Sequence, residues 1–345
     1  MSPAAAAPPM PSSLPPLAEV LDSMRVVAIP TRTRFRGVTV REAAIFDAPA
    51  GPSEFSPFTE YDDAEAASWL AAALDYGWTA QPAPRLDRVE VNATVPAVAP
   101  DEVARILDRF PGCRTAKVKV AERGQVLADD VARVRRVREL MGPDARVRVD
   151  ANTGWSVAEA VTALTALAEF ELEYAEQPCV SVPELADVRD RLRAAGAQVR
   201  IAADESVRKA SDPLAVARAG AADLLIIKAQ PLGGVARALG IVREANLPVV
   251  VSSALDTSVG ISMGAHLAAA LPEGMLAGAC GLGTVALLAD DVTDTPLVPV
   301  EGVIPVGRPA LSEASLTRTA ASPERTAWWV ERVTRCYALL AAEAA

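Results

Sequence analysis

The chain has 345 residues, 51% of them hydrophobic, which is enough for a large core or for one large domain with a smaller attachment. Its formal charge of −10 and pI near 4.9 argue against a phosphate-backbone partner, because nucleic-acid binding rests on a basic surface. Cys113, Cys179, Cys280 and Cys336 lie far apart with no CxxC pair, so neither a zinc site nor a disulfide framework is suggested, and a reducing cytoplasm fits best.

Residues 1–17 are rich in Pro, Ala and Ser, without a basic n-region or an apolar h-region, and read as a disordered tail instead of a signal peptide. Residues 18–88 follow with strand-like VVAIPTRTRF and TVREAAIF and then a helical AEAASWLAAALDYG, which predicts a separate α+β piece. From residue 89 one unit repeats: a short β-branched run, a polar or Gly-containing loop, then a longer Ala/Leu/Arg-rich stretch. That alternation predicts parallel βα units.

The runs are VEVNATV (89–95), AKVKV (116–120), RVRVD (146–150), EYAE (173–176), VRIAAD (199–204), DLLIIK (223–228), PVVVSS (248–253) and a weak eighth near LAGAC (276–280). Between them Ser156 with Glu159 spells a capping box and Asp212-Pro213 an N-cap with an N1 proline. Gly112, Gly142, Gly196 and Gly220 fall where helices should stop. Eight regularly spaced units predict a TIM-like (β/α)8-type barrel over 89–310. A doubly wound sheet is the alternative, but the glycine fingerprint expected after its first strand is absent. The segment 311–345 contains an amphipathic helix that packs back onto the 18–88 piece or onto the barrel. Apolar stretches such as LLII fall far short of the roughly 20 residues that span a bilayer, so no membrane anchor is expected.

In barrel enzymes the active site lies at the C-terminal strand ends. Here the second strand carries Lys117 and Lys119, the third ends at Asp150, the fourth at Glu176, the fifth at Asp204 and the sixth at Lys228. Period-two alternation sends Lys117 and Lys119 to one face, expected to be the barrel interior. Asp and Glu often end strands or cap the next helix, but three in succession converge on the barrel axis. An oxygen-only set with no His or Cys nearby suits a hard cation, Mg²⁺ with Mn²⁺ as a substitute. The one histidine, His266, sits in the apolar SVGISMGAHLAAAL and reads as a core or helix residue. Lysine is then the remaining base, with Lys119 and Lys228 approaching from opposite sides. Such a site suits abstraction of a proton α to a carboxylate, a pairing of lysine base and Mg²⁺ known from enolase-type enzymes.

AKVKV, RVDAN, EYAEQP, AADES and IIKAQ, in that order, resemble the barrel motifs of the muconate-lactonizing branch of the enolase superfamily, over residues 25–310. The resemblance implies a modified (β/α)7β barrel with an N-terminal α+β capping domain, in which SEFSPFTEY (53–61) is the substrate-facing loop and TRTRFRG (31–37) a mobile one. It implies metal ligation by Asp150, Glu176 and Asp204. Lys119 would be the general base and then the acid that protonates the departing hydroxide. Lys117 would support it electrostatically, and Lys228 would stabilise the enediolate as a cation. Ser252, Ser253, Gly281, Gly283 and Asn152 would contact a small carboxylate substrate, together with Arg36, for which Arg32 and Arg34 are alternatives.

Within the branch the sequence is most similar to dehydratases acting on a hydroxycyclohexadiene carboxylate in menaquinone biosynthesis. Racemases of N-acylated amino acids and dipeptide epimerases use the same framework. A rival from another class rests on Gly260-Ile261-Ser262-Met263-Gly264, which spells the GxSxG of serine hydrolases. That motif should follow a strand directly and find its histidine well downstream, whereas His266 lies one helical turn after Ser262.

Overall fold

The computed structural model describes residues 14–35, 37–208 and 212–344. Most of the expected tail, residues 1–13, lies outside them, but its end does not: Leu17 opens the helix Leu17–Asp22, and Tyr337 Oη donates to the Pro15 carbonyl at 2.7 Å. Residue 17 is therefore corrected from tail to helix.

Three antiparallel strands follow in the order β1 (Met24–Phe35), β2 (Val38–Phe46) and β3 (Ser53–Phe55). The helix Asp63–Trp78 covers them, capped by Asp62, whose side chain accepts from Glu65 N. The C-terminal helix Pro323–Ala344 docks on this layer, choosing between the two partners that the sequence left open. Trp329 meets Phe55 edge-to-face at 5.6 Å and donates to Glu42 Oε2 at 2.8 Å, while Arg325 pairs with the same carboxylate at 2.7 Å. The Arg332 guanidinium bonds the carbonyls of Thr59 and Tyr61, so the C-terminal helix fixes the backbone of the segment that leads to the site.

The barrel strands are split differently from the expectation. VEVNATV forms β4 (Arg88–Glu90) and β5 (Ala93–Val95), with Asn92 between them. Only β5 joins the parallel sheet, with β6 (Thr115–Lys119), β7 (Arg146–Asp150), β8 (Leu172–Glu176), β9 (Ile201–Ala203), β10 (Leu224–Ile227) and β11 (Val249–Val251) in sequential order. β4 pairs antiparallel with β12 (Val303–Pro305).

The expected eighth strand near 276–280 is not one. That segment makes isolated parallel bridges, Leu276 to Val249 and Gly281 to Ser252 on one side, and Cys280 to Val91 on the other. Seven strands curl and this stretch spans the remaining gap, which is the (β/α)7β form. β10 and β11 are apolar throughout because interior and helix layer bury both faces.

The Ser156–Glu159 capping box is present, and Gly142, Gly196 and Gly220 follow helix ends within two residues with positive φ, whereas Gly112 lies five residues beyond the end of its helix at Leu107, in a turn with φ 77°. Asp212 does accept from Leu214 N at 3.1 Å, but the helix it introduces begins at Ala215. Pro213 therefore sits in the preceding turn and not at N1.

Candidate active site

The barrel register brings the strand ends together. Lys119 is the Cα partner of Asp150 across β6–β7, and Asp150 is the partner of Glu176 across β7–β8; Asp204 directly follows β9 and Lys228 directly follows β10. All five, with Lys117, are buried: Asp150, Glu176 and Asp204 are each 1% exposed, and the three lysines 6–8%. They line one tight recess of about 20 Å³ together with Thr94, Asn152, Ser252, Ser253, Gly281 and Thr284, beneath Phe35 and Phe58 from the N-terminal layer.

Each carboxylate is turned to an ammonium group. Lys117 Nζ lies 2.9 Å from Glu176 Oε2 and 3.5 Å from Asp150 Oδ2; Lys119 pairs with Asp150 and donates to Asn152 Oδ1 at 2.7 Å; Lys228 pairs with Asp204. Burial alone would discharge Lys117, but Glu176 and Asp150 outweigh it and hold its pKa above the ordinary range. Burial lowers Lys228, which Asp204 opposes and the Arg208 charge reinforces. Asp204, despite its burial, is kept below the ordinary carboxylate range by Lys228 and Arg208. Burial and the neighbouring Asp150 push Glu176 up to about 7.

The placing of these carboxylates on neighbouring strand ends is the observation that tests the site for a metal. Three buried carboxylates crowd one another, and a divalent cation would relieve the crowding with the hard oxygen donors it prefers. Asp204 Oδ1 accepts no hydrogen bond among the described residues, with Arg208 Nε an ion-pair distance of 3.2 Å away. Among the described residues no three His, Cys, Asp or Glu side chains already share ligand geometry, each of these carboxylates being turned to a lysine. The donor set fits a divalent cation once those ammonium groups release their oxygens.

The other expected contacts divide. Asn152 lines the recess in a left-handed conformation, φ 43°. Ser253 Oγ is held between the Gly281 carbonyl and Thr284 Oγ1, both at 2.8 Å. Gly283 is not in the lining of this recess; it packs where an added Cβ would meet the Asn92 carbonyl at 3.0 Å and the Phe110 ring at 3.4 Å. Arg36 lies outside the described residues. Of its two alternatives, Arg32 bonds the Leu288 carbonyl at 2.8 Å and faces a different cavity, whereas Arg34 lines a cavity of about 620 Å³ that shares Phe35, Lys119 and Asn152 with the recess.

Several residues at the site went unassigned in the sequence. Gln177, fully buried and at φ 39°, accepts from Asp204 N at 2.9 Å and donates to Ser206 Oγ at 2.7 Å, which fixes the strand end that carries Asp204. Arg208 donates to Tyr61 Oη at 3.1 Å and so ties this strand end to the N-terminal layer. Phe35 places its ring 5.2 Å from Lys119 Nζ. The polar residues just past each strand, as in EYAEQP, were the available signal for Gln177. Nothing local announces Arg208 or Phe35.

The GxSxG segment belongs to the helix Ser258–Ala270. Ser262 donates to the Val259 carbonyl at 2.7 Å, and His266 is engaged by the Pro82 carbonyl at 2.6 Å. Neither is arranged as a nucleophile or a base.

A curled parallel sheet with lysines and carboxylates on its strand ends, under an α+β layer, defines a class, and the chain belongs to it: the enolase superfamily. Residues 26–77 match the Enolase N-terminal domain-like model and residues 100–310 the Enolase C-terminal domain-like model. Members of this superfamily generally use a divalent metal. More narrowly, the o-succinylbenzoate synthase of Mycobacterium tuberculosis (strain H37Rv) is 55% identical over 328 residues, 95% of this chain and 97% of the relative. That of Mycolicibacterium smegmatis is 55% identical over 333 residues, 96% of this chain and 100% of the relative. The structure of the muconate lactonizing enzyme from Pseudomonas fluorescens shares the fold with a TM-score of 0.70 at 18% identity, over 87% of this chain and 98% of that one. Among the described residues no helix is long and apolar enough to cross a membrane.

Proposed function

We propose that the protein catalyses the o-succinylbenzoate synthase reaction of menaquinone biosynthesis, the syn-dehydration of 2-succinyl-6-hydroxy-2,4-cyclohexadiene-1-carboxylate to 2-succinylbenzoate. It is a hydro-lyase. The observation that carries the reading is the convergence of Lys119 and Lys228 on three buried carboxylates in one recess, in a chain 55% identical to curated synthases along almost its whole length.

Lys119, in its neutral form, takes the proton from the carbon bearing the ring carboxylate, and the C–H electron pair moves toward that carboxylate. The same ammonium then delivers the proton to the hydroxyl on the neighbouring ring carbon, which leaves as water while the electron pair returns from the carboxylate to form the double bond between the two ring carbons. One lysine serving both steps on one face accounts for the syn course. Asn152 and Asp150 orient its Nζ. Lys228, from the far side, supplies positive charge while the carboxylate carries the extra electron pair. Lys117 stays protonated and balances the charge of the neighbouring Glu176 and Asp150.

Asp150, Glu176 and Asp204 would hold the divalent cation, for which Mg²⁺, with Mn²⁺ as a substitute, suits an oxygen-only set. When bound it supplies Lewis-acid charge to the substrate carboxylate. Phe35 and Phe58 close the recess and exclude water.

The test is turnover of the hydroxycyclohexadiene acid, followed by the appearance of the aromatic product, beside N-succinyl amino acids incubated in heavy water. Dehydration is the expected outcome. Deuterium exchange and racemisation of the amino acids without dehydration would assign the protein to the racemases instead.

A further inference from the structure

The N-terminal layer meets the barrel through a set of charged groups that the reaction does not use. Arg41 on β2, Glu54 on β3, and Asp256 in the loop after β11 are 3%, 0% and 5% exposed. Glu54 crosses the boundary to cap a barrel helix: it accepts from Gly260 N at 2.8 Å and from Thr257 Oγ1 at 2.6 Å, at the start of Ser258–Ala270. Its other oxygen accepts from Ser56 Oγ at 2.6 Å. Arg41 bonds the Leu255 carbonyl at 3.2 Å and the Ser56 carbonyl, stands 3.8 Å from Asp256 Oδ1, and lies 4.7 Å from the centre of the Phe58 ring. Gln230 completes the set, with its Oε1 3.4 Å from Ser56 N and its Nε2 3.4 Å from Ser56 Oγ.

Three members of this cluster, Gln230, Asp256 and Ser56, lie within a few residues along the chain of the recess lining. Gln230 is two residues beyond Lys228, and Asp256 stands in the loop that begins with Ser252 and Ser253. Ser56 is two residues before Phe58, which covers the lysines and carboxylates. Gly260, the first glycine of the GxSxG stretch, makes the convergence possible: a Cβ there would lie 2.7 Å from Asp256 Cβ and 2.9 Å from both Gln230 Nε2 and Glu54 Cδ. The motif is thus a point of close approach between two domains.

We propose that Glu54, Arg41 and Asp256, gathered on Gly260 and Gln230, are positioning residues that lock the 54–58 segment over the substrate and hold it in register with the strand ends bearing Lys228 and Ser252. The inference rests on the reaction assigned above, and its signature is a KM effect, because the cluster holds the lid and touches no reacting atom.

With the hydroxycyclohexadiene acid as substrate, Glu54→Ala is expected to raise KM about tenfold and to change kcat by less than about threefold. Glu54→Gln, which keeps an acceptor for Gly260 and Thr257, should restore both values. Ser56→Ala, a milder change that removes one hydroxyl and leaves the Glu54 carboxylate in place, should raise KM about threefold. Amide hydrogen exchange on the same proteins gives a readout without substrate: Glu54→Ala should release protection at residues 53–61 and at Thr257 and Gly260, and leave the barrel helix Leu127–Met141 protected. Wild-type KM in both Glu54→Ala and Ser56→Ala overturns the proposal, as does a loss confined to kcat. If the wild-type protein fails to dehydrate the acid, the assigned reaction falls and the exchange result decides for the lock alone: unchanged protection in Glu54→Ala overturns it.

Discussion

Lys117 on β6 reaches past β7 to set its Nζ 2.9 Å from Glu176 Oε2 on β8, and 3.5 Å from Asp150 Oδ2 on the strand between. Two carboxylates hold this ammonium charged, so Lys117 is an organiser of the site, which agrees with the proposed use of Lys119 as the proton carrier. Replacing Lys117 with Met leaves the buried Glu176 and Asp150 short of their counter-ion. Breaking a buried pair from one side typically costs about 3–5 kcal/mol, so the metal-free variant should melt well below the wild type. Calorimetry with and without added Mg²⁺ checks it; a cation should recover part of the loss in the variant.

Lys119 and Lys228 should separate by mechanism. Lys119→Ala removes the group proposed to take and return the proton, and kcat should fall by about 10³-fold or more in protein shown to be folded by circular dichroism. Near-native turnover in that variant would exclude Lys119 as the base. Lys228→Met should also lower kcat. If Lys228 acts only as a cation, solvent deuterium should not enter the substrate's α-position through it, and Lys119→Ala, which retains Lys228, should exchange no α-proton by NMR in heavy water.

Dialysis against EDTA should abolish turnover, with Mg²⁺ restoring it and Mn²⁺ restoring part. The same titration should raise the melting temperature, because a ligand present at 100 times its Kd stabilises a fold by about 2.7 kcal/mol. Asp204→Asn, which also leaves Lys228 and Arg208 without their shared counter-ion, should lose both responses in protein shown to be folded by circular dichroism. A metal-independent wild type would remove the role given to the three carboxylates.

The strand ends were legible in the sequence because each is a local event. A β-branched run stops at a charged residue, and period two sets Lys117 and Lys119 on one face. The closing segment 276–281 was not, since LAGACG has no alternation and joins its neighbours by single bridges only. VEVNATV reads as one strand, yet Val89 pairs with Ile304 and Val91 with Cys280, so the chain changes partner within the run, at a place set by residues about 190 to 215 positions away. Arg41, Glu54 and Asp256 were illegible for the same reason. Each is an ordinary charged residue until the fold brings residues about 200 apart into contact.

Glu54 supplies a pH signature distinct from the metal site. Burial and the facing Asp256 push its carboxyl up to about 7, against the pull of Ser56, Thr257 and Arg41. In the unfolded chain it titrates near the ordinary 4.5. Between those values the folded protein holds a proton that the unfolded chain has released. The contribution to stability is therefore complete below the unfolded value and is lost as pH rises toward 7. Glu54→Gln cannot ionise, so its stability relative to wild type should climb from pH 5 to pH 8 and level off above the folded pKa. Denaturant melts of both proteins in Mg²⁺ across that range are the measurement, and Glu176, common to both, cancels in the difference. A gap that stays constant with pH would mean that Glu54 is ionised throughout, with the Arg41 charge and the Gly260 and Thr257 donors outweighing its burial beside Asp256.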